Sequence, residues 1–149
     1  MNPDEMITEL KLALPPVPKA AGLYKPVLMQ GDLVYFSGHL PILSDGSMIT
    51  GRVGTELSIE EGAAAARHIG LSVLSSLKEK LGSLNQISRL VKLLGMVNAP
   101  SSFSEHPKVI NGCSELFQEI WGEDFGVGVR SAFGVSGLPG NASVEIEGI

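Results

Sequence analysis

Apolar residues recur at helical spacing in two long stretches of the chain. The first stretch, residues 58–81, opens with Ser58 and Glu61, which match the capping box that satisfies free backbone N–H groups at a helix start. The second stretch begins near Pro107 and ends at Gly122. Each carries one apolar stripe, formed in the first by Ala66, Gly70, Val73, Leu74, Leu77 and Leu81, and in the second by Val109, Cys113, Leu116, Phe117 and Ile120. The pattern predicts two long helices, each with one buried face.

Shorter segments carry the residue types and turn boundaries of β-strands. Strands are predicted at residues 33–37, 87–97, 127–135 and 143–148, with a further short strand near residues 48–50. The element order is then β-β-α-β-α-β-β. This order predicts an α+β fold in which two helices pack on a single face of one mixed sheet.

Residues 1–20 differ from the rest of the chain, and we call them the N-terminal arm. Apolar residues in the first part of the arm have helical spacing, at Met6, Ile7, Leu10 and Leu14. The second part contains Pro15, Pro16 and Pro18, which end a helix because proline lacks a backbone donor. The arm is therefore predicted to be a short helix with a proline-rich connector, ahead of a single domain over residues 21–149. A disordered tail is the alternative interpretation of the same residues.

Composition and charge exclude several classes of protein. The chain has 149 residues, with 11 basic and 16 acidic side chains and a formal net charge of −5. An acidic chain without a Lys/Arg cluster argues against nucleic acid as a partner. No apolar run reaches the ~18 residues of a membrane helix, and no signal peptide is evident. The one cysteine, Cys113, cannot form an internal disulfide, so we expect a cytoplasmic protein.

The clearest candidate for chemistry is Arg130, in the predicted strand 127–135. Strand alternation gives this side chain only small neighbours on its own face: Gly128, Ala132 and Gly134. An uncrowded guanidinium can bind a carboxylate through two parallel hydrogen bonds. If the last two strands pair as a hairpin, Glu145 and Glu147 lie on that same face and could move a proton. A plain cross-strand ion pair between the arginine and a glutamate is the alternative.

The C-terminal motifs resemble the signature of the YjgF/Rid (reactive intermediate deaminase) family, whose older label is endoribonuclease L-PSP. The matching motifs there are Arg130-Ser131-Ala132, Leu138-Pro139 and Val144-Glu145-Ile146-Glu147. Further matches run along the chain in order, at Gly22-Leu23-Tyr24, Phe36-Ser37-Gly38-His39-Leu40-Pro41 and Val109-Ile110-Asn111. The arm before the tyrosine is similar to a branch of the family with a proline-rich N-terminus.

This resemblance implies a chorismate-mutase-like fold and a homotrimer whose sheets line a central barrel, with sites in the clefts between subunits. It implies hydrolytic deamination of small, 2-aminoacrylate-like enamino and imino acids to 2-oxo acids and ammonia, without metal or organic cofactor. Arg130 would then hold the substrate carboxylate, Glu145 would activate water, and Tyr24 would line the cleft from the neighbouring chain. Asn111 would lie near the site, and Ala132 would offer a backbone N–H. Many family members have cysteine at position 132, so alanine there excludes a role for a thiol.

Two other functions remain open on the sequence alone. A non-catalytic trimer that binds small carboxylates, as a metabolite sensor or a ligand-dependent chaperone, would need Arg130 but not Glu145. A ribonuclease, as the older family label suggests, would have to work with a net charge of −5 and without a basic stripe.

Overall fold

The computed structural model describes residues 1–149 as a mixed sheet with helices packed against it. The elements in chain order are α1 (Pro3–Glu9), β1 (Val27–Gln30), β2 (Leu33–His39), α2 (Ile59–Leu81), β3 (Lys92–Asn98), α3 (His106–Gly126), β4 (Val129–Val135) and β5 (Val144–Gly148). The chain also contains two short 3₁₀ helices, Leu84–Gln86 and Pro139–Asn141. The predicted α+β class is confirmed, and none of the helices has the length and apolar character needed to cross a membrane.

The five strands have the order β1-β2-β5-β3-β4. Strands β3 and β4 are parallel, as expected of neighbours joined by a helical crossover, whereas the other pairs are antiparallel. The hairpin considered for the last two strands does not form. Strand β3 lies between β4 and β5, so Arg130 is paired with Leu93 and Glu145 with Met96.

The first hairpin differs from the prediction. Strand β1 pairs with β2 across a turn at Gly31, whose φ of +61° is the left-handed conformation that glycine adopts readily. Residues 48–50 form only isolated bridges, Ile42 with Met48 and Thr50 with Ala142. The sequence signal for β1 is weak because only the first of its four residues is buried.

Helices α2 and α3 pack on each other and on the sheet, and their apolar stripes form most of the core. The capping box at Ser58 and Glu61 is present, and α2 ends at Gly82 in the left-handed conformation. The predicted stop at Gly122 is a break in α3 (φ 80°, ψ 175°), after which a last helical turn follows. At the helix crossing a Cβ on Gly112 would overlap the carbonyl group of Ala63, so only glycine fits there.

Candidate functional site

Arg130 lies on the helix-facing side of the edge strand β4 and is half-buried. Its Nη1 donates to Ser114 Oγ at 2.9 Å, and its Nη2 donates to the Pro107 carbonyl oxygen at 3.3 Å. No carboxylate lies within 4.0 Å of the guanidinium, so the cross-strand ion pair considered above does not form. With two of its five N–H donors engaged, the side chain is fixed in place and keeps three donors for a ligand.

The small neighbours of Arg130 are predicted to leave open space around the guanidinium, but in the structure they accommodate other groups of the chain. A Cβ on Gly128 would lie 2.6 Å from the Val91 carbonyl oxygen, and a Cβ on Gly134 would lie 2.6 Å from His106 Nε2. These glycines therefore admit a neighbouring backbone and an imidazole ring, and they do not leave empty space. Ala132 packs against the edge of the core.

The room beside the guanidinium is an open cavity of about 450 Å³ along α3, which we call the Arg130 cleft. Its helical wall is a polar stripe of Asn111, Ser114, Glu115 and Gln118. These residues are spaced at i, i+3, i+4 and i+7, so they share one face of an otherwise apolar helix. Asn111 lines the same cleft as Arg130, and the polar stripe is the sequence signal through which Ser114 could have been predicted.

Glu145 lies on the opposite face of the sheet and packs against Gly38. A Cβ on Gly38 would be 2.5 Å from Glu145 Oε2, so a glycine at position 38 is what admits the carboxylate. Burial raises the pKa of Glu145, and the nearby charge of Glu147 raises it further. A carboxylate with a raised pKa is a stronger base at neutral pH than an ordinary glutamate.

Tyr24 shares an open cavity of about 440 Å³ with Glu145, which we call the Glu145 pocket. The Tyr24 hydroxyl accepts a hydrogen bond from the Ala21 backbone N–H at 3.2 Å, which holds the ring at the pocket wall. Pro139, from the predicted leucine-proline motif, lines the same pocket.

The predicted residues therefore fall into two groups on opposite faces of one sheet. Arg130 contacts α3, whereas Val144 and Ile146 face the helices and turn Glu145 to the other side. The expectation that Arg130 and Glu145 share a strand face is wrong, because they pair with Leu93 and Met96 of β3, whose side chains lie on opposite faces of the sheet. Within one chain the two groups cannot contact the same small molecule.

The other titratable side chains considered for chemistry, His39 and Cys113, are buried and have structural roles. The Nδ1–H of buried His39 donates to the Ser37 carbonyl oxygen at 2.6 Å, because a carbonyl oxygen can only accept. The other ring nitrogen, Nε2, then accepts a hydrogen bond from Ser76 Oγ at 2.9 Å. Burial lowers the pKa of His39, so the ring is a neutral link between β2 and α2. Burial raises the pKa of the Cys113 thiol to about 12, which leaves it inert. No group of three or more His, Cys, Asp or Glu side chains is arranged to hold a metal ion.

Comparison with known proteins finds one family, one related protein and several crystal structures that match most of this chain. Residues 5–144 match the family described as "YjgF/chorismate mutase-like, putative endoribonuclease". Protein TCP17 of Trypanosoma cruzi is 37% identical over 143 residues, which cover 96% of this chain and 89% of that protein. A crystal structure from Shewanella oneidensis MR-1 superposes with a TM-score of 0.93 at 31% identity, over 99% of this chain and 97% of the other. RidA from Psychrobacter sp. PAMC 21119 superposes with a TM-score of 0.61 at 26% identity, over 89% and 90% of the two chains.

Proposed function

Because the chain belongs to the YjgF/chorismate mutase-like family, we propose that it hydrolyses small reactive 2-enamino and 2-imino acids, of the 2-aminoacrylate kind, to 2-oxo acids and ammonia. The observation that carries the proposal is the presence of an arginine without an acidic partner together with a half-buried glutamate whose pKa is raised. The likeness to RidA supports the same class of reaction.

The site that we propose lies between two subunits of a homotrimer. The sheet face that bears Glu145 has no helix over it and exposes apolar side chains, namely Leu28, Tyr35, Val129 and Phe133. Exposed apolar surface on a sheet favours association with another copy of the chain. In the trimer, Arg130, Asn111 and the Ala132 N–H of one subunit would face Tyr24 and Glu145 of the next.

The proposed reaction needs one group that binds the substrate carboxylate and one group that transfers protons. The enamine tautomerises to the imine, and Arg130 holds the carboxylate of that imine. Glu145 takes a proton from water as the water oxygen bonds to the imine carbon, and it returns the proton to the nitrogen. The resulting carbinolamine hydroxyl then gives its proton to the nitrogen, through the same carboxylate, as the carbon–nitrogen bond breaks, which releases ammonia and leaves the 2-oxo acid. General acid–base catalysis of this kind contributes ~10²–10⁴-fold.

The test generates 2-aminoacrylate from serine with a separate dehydratase and follows the release of pyruvate. Arg130→Ala should weaken substrate use, and Glu145→Gln should remove most of the ~10²–10⁴-fold acceleration. Arg67→Ala is the matched control, since Arg67 pairs with Glu119 on the helical surface and should leave turnover unchanged. If the wild type and Arg130→Ala are equally inert, the proposal fails.

A second candidate function is carboxylate binding without turnover. The three unused donors of Arg130 favour it, because they can bind an anion without help from Glu145. Thermal shifts with pyruvate, 2-oxobutyrate and benzoate test this function. Stabilisation that Arg130→Ala abolishes and Glu145→Gln leaves intact, with no turnover by the wild type, would favour the binding protein over the enzyme.

A further inference from the structure

The N-terminal arm is anchored to the body of the chain at its start. Asp4 of α1 accepts a hydrogen bond from Ser83 Oγ at 2.5 Å and another from the Leu84 backbone N–H at 3.3 Å. Lys78 Nζ lies 3.7 Å from Asp4 Oδ1, and Ile7 is buried in the core. The arm therefore has a fixed starting point at the C-terminal end of α2.

A second attachment directs the connector along α2 toward the Glu145 pocket. Ser75 Oγ donates to the Pro15 carbonyl oxygen at 2.7 Å. The prolines that follow restrict the backbone to a narrow range of φ, so the segment after Pro15 is stiff. Beyond it, Pro18 and Lys19 of the connector line the Glu145 pocket.

Lys19 follows the attachment at Pro15 and lines the Glu145 pocket. It is the only lysine or arginine in that lining, and His39 there is neutral. No carboxylate of the chain lies within 4.0 Å of Lys19. The arm thus brings one lysine without a carboxylate partner to the lining of the pocket that holds the candidate base.

We propose that Lys19 is a specificity-determining residue that binds a second acid group, on the side chain of the substrate. The inference rests on the proposed function. With Arg130 of the neighbouring subunit assigned to the carboxylate beside the imine, Lys19 would select 2-imino acids that carry a further carboxylate. The substrate class is then the 2-imino dicarboxylic acids.

The test compares two imines of equal size, the dicarboxylic acid and its side-chain monoamide, each generated in situ by an amino acid oxidase. The readout is the ratio of kcat/KM for the acid to kcat/KM for the amide. One exposed ion pair predicts a fall in this ratio of ~3–5-fold in Lys19→Gln. Lys19→Glu should lower it further by repulsion. Lys11→Gln is the matched control, because it removes the same charge from the same arm outside the pocket.

Binding of the corresponding 2-oxo acids, measured by calorimetry, gives a second readout that does not require turnover. A wild-type preference for the dicarboxylate that is lost in Lys19→Gln supports the proposal, even if no imine is hydrolysed and the proposed function fails. If imines are hydrolysed but Lys19→Gln leaves the acid-to-amide ratio unchanged, or lowers both activities in parallel, the Lys19 proposal is overturned and the proposed function stands. Absence of both turnover and binding overturns both.

Discussion

Replacing Gly38 by alanine displaces the candidate base without removing it. The added Cβ would lie 2.5 Å from Glu145 Oε2, 2.8 Å from Cδ and 3.1 Å from Cγ. Ordinary contact needs about 3.5 Å, so the carboxylate must move by roughly 1 Å. Displacement of a catalytic group by about 1 Å can cost ~10²-fold in rate, which corresponds to about 2.7 kcal/mol.

The stability of Gly38→Ala should change little. The atoms in the way belong to the end of a flexible side chain, and φ at position 38 is outside the left-handed region. We expect the free energy of unfolding in urea to shift by less than ~1 kcal/mol, while kcat/KM with the in situ imine falls ~10²-fold. Gly137→Ala is the matched control, because no atom lies within 4 Å of the position of its Cβ.

A double-mutant cycle separates displacement of Glu145 from other effects. If Gly38→Ala acts only through the carboxylate, it should have no further effect on turnover in the Glu145→Gln background. An equal loss of turnover in both backgrounds would refute the reasoning, as would unchanged turnover in Gly38→Ala.

Three further changes test the fold and the arm. Gly112→Ala forces a methyl group against the Ala63 carbonyl, so we expect it to lower the free energy of unfolding by ~1–3 kcal/mol in urea titrations; an unchanged midpoint would contradict the close helix crossing. His39 is neutral and has a lowered pKa in the folded state, so the unfolded chain binds its proton first as the pH falls. The stability that the neutral ring provides is complete above about pH 6.5 and declines below it toward the lowered folded pKa. His39→Gln should therefore flatten the fall in the free energy of unfolding between about pH 7 and 5. Parallel curves of stability against pH for the wild type and the variant would contradict this role of His39. Asp4→Asn weakens the attachment to Ser83, so hydrogen exchange in residues 3–9 should quicken while exchange in the sheet does not; unchanged exchange throughout would contradict the anchoring role.

Much of the fold could be predicted because its signals are local. The capping box at Ser58, the left-handed stop at Gly82 and the apolar stripes of both helices are patterns within a few residues of each other. The neighbours of a strand in a sheet are not encoded in this way. The insertion of β5 between β2 and β3 depends on packing across the whole sheet, and so does the register that pairs Arg130 with Leu93 and Glu145 with Met96 and places them on opposite faces.

The candidate site shows the same difference between what local sequence patterns indicate and what depends on the whole fold. Motifs identified Arg130, Glu145 and Tyr24 as residues of interest, but their grouping into the Arg130 cleft and the Glu145 pocket required the structure. Ser114 was within reach of the sequence as a member of the polar stripe on α3. Lys19 was not, because an exposed lysine in a proline-rich segment carries no signal until the arm is seen to run into the pocket.

Mixed trimers test the central claim, that each site combines Arg130 of one subunit with Glu145 of the next. Arg130→Ala and Glu145→Gln subunits are co-expressed in equal amounts, and light scattering should give a mass of about three times 15.7 kDa for the proposed trimer. Random assembly gives about one site in four with both residues intact, so the mixture should reach ~25% of wild-type turnover, well above either variant alone. If the mixed trimers form but remain as inactive as the separate variants, the two residues do not meet across a subunit boundary, and the account is contradicted.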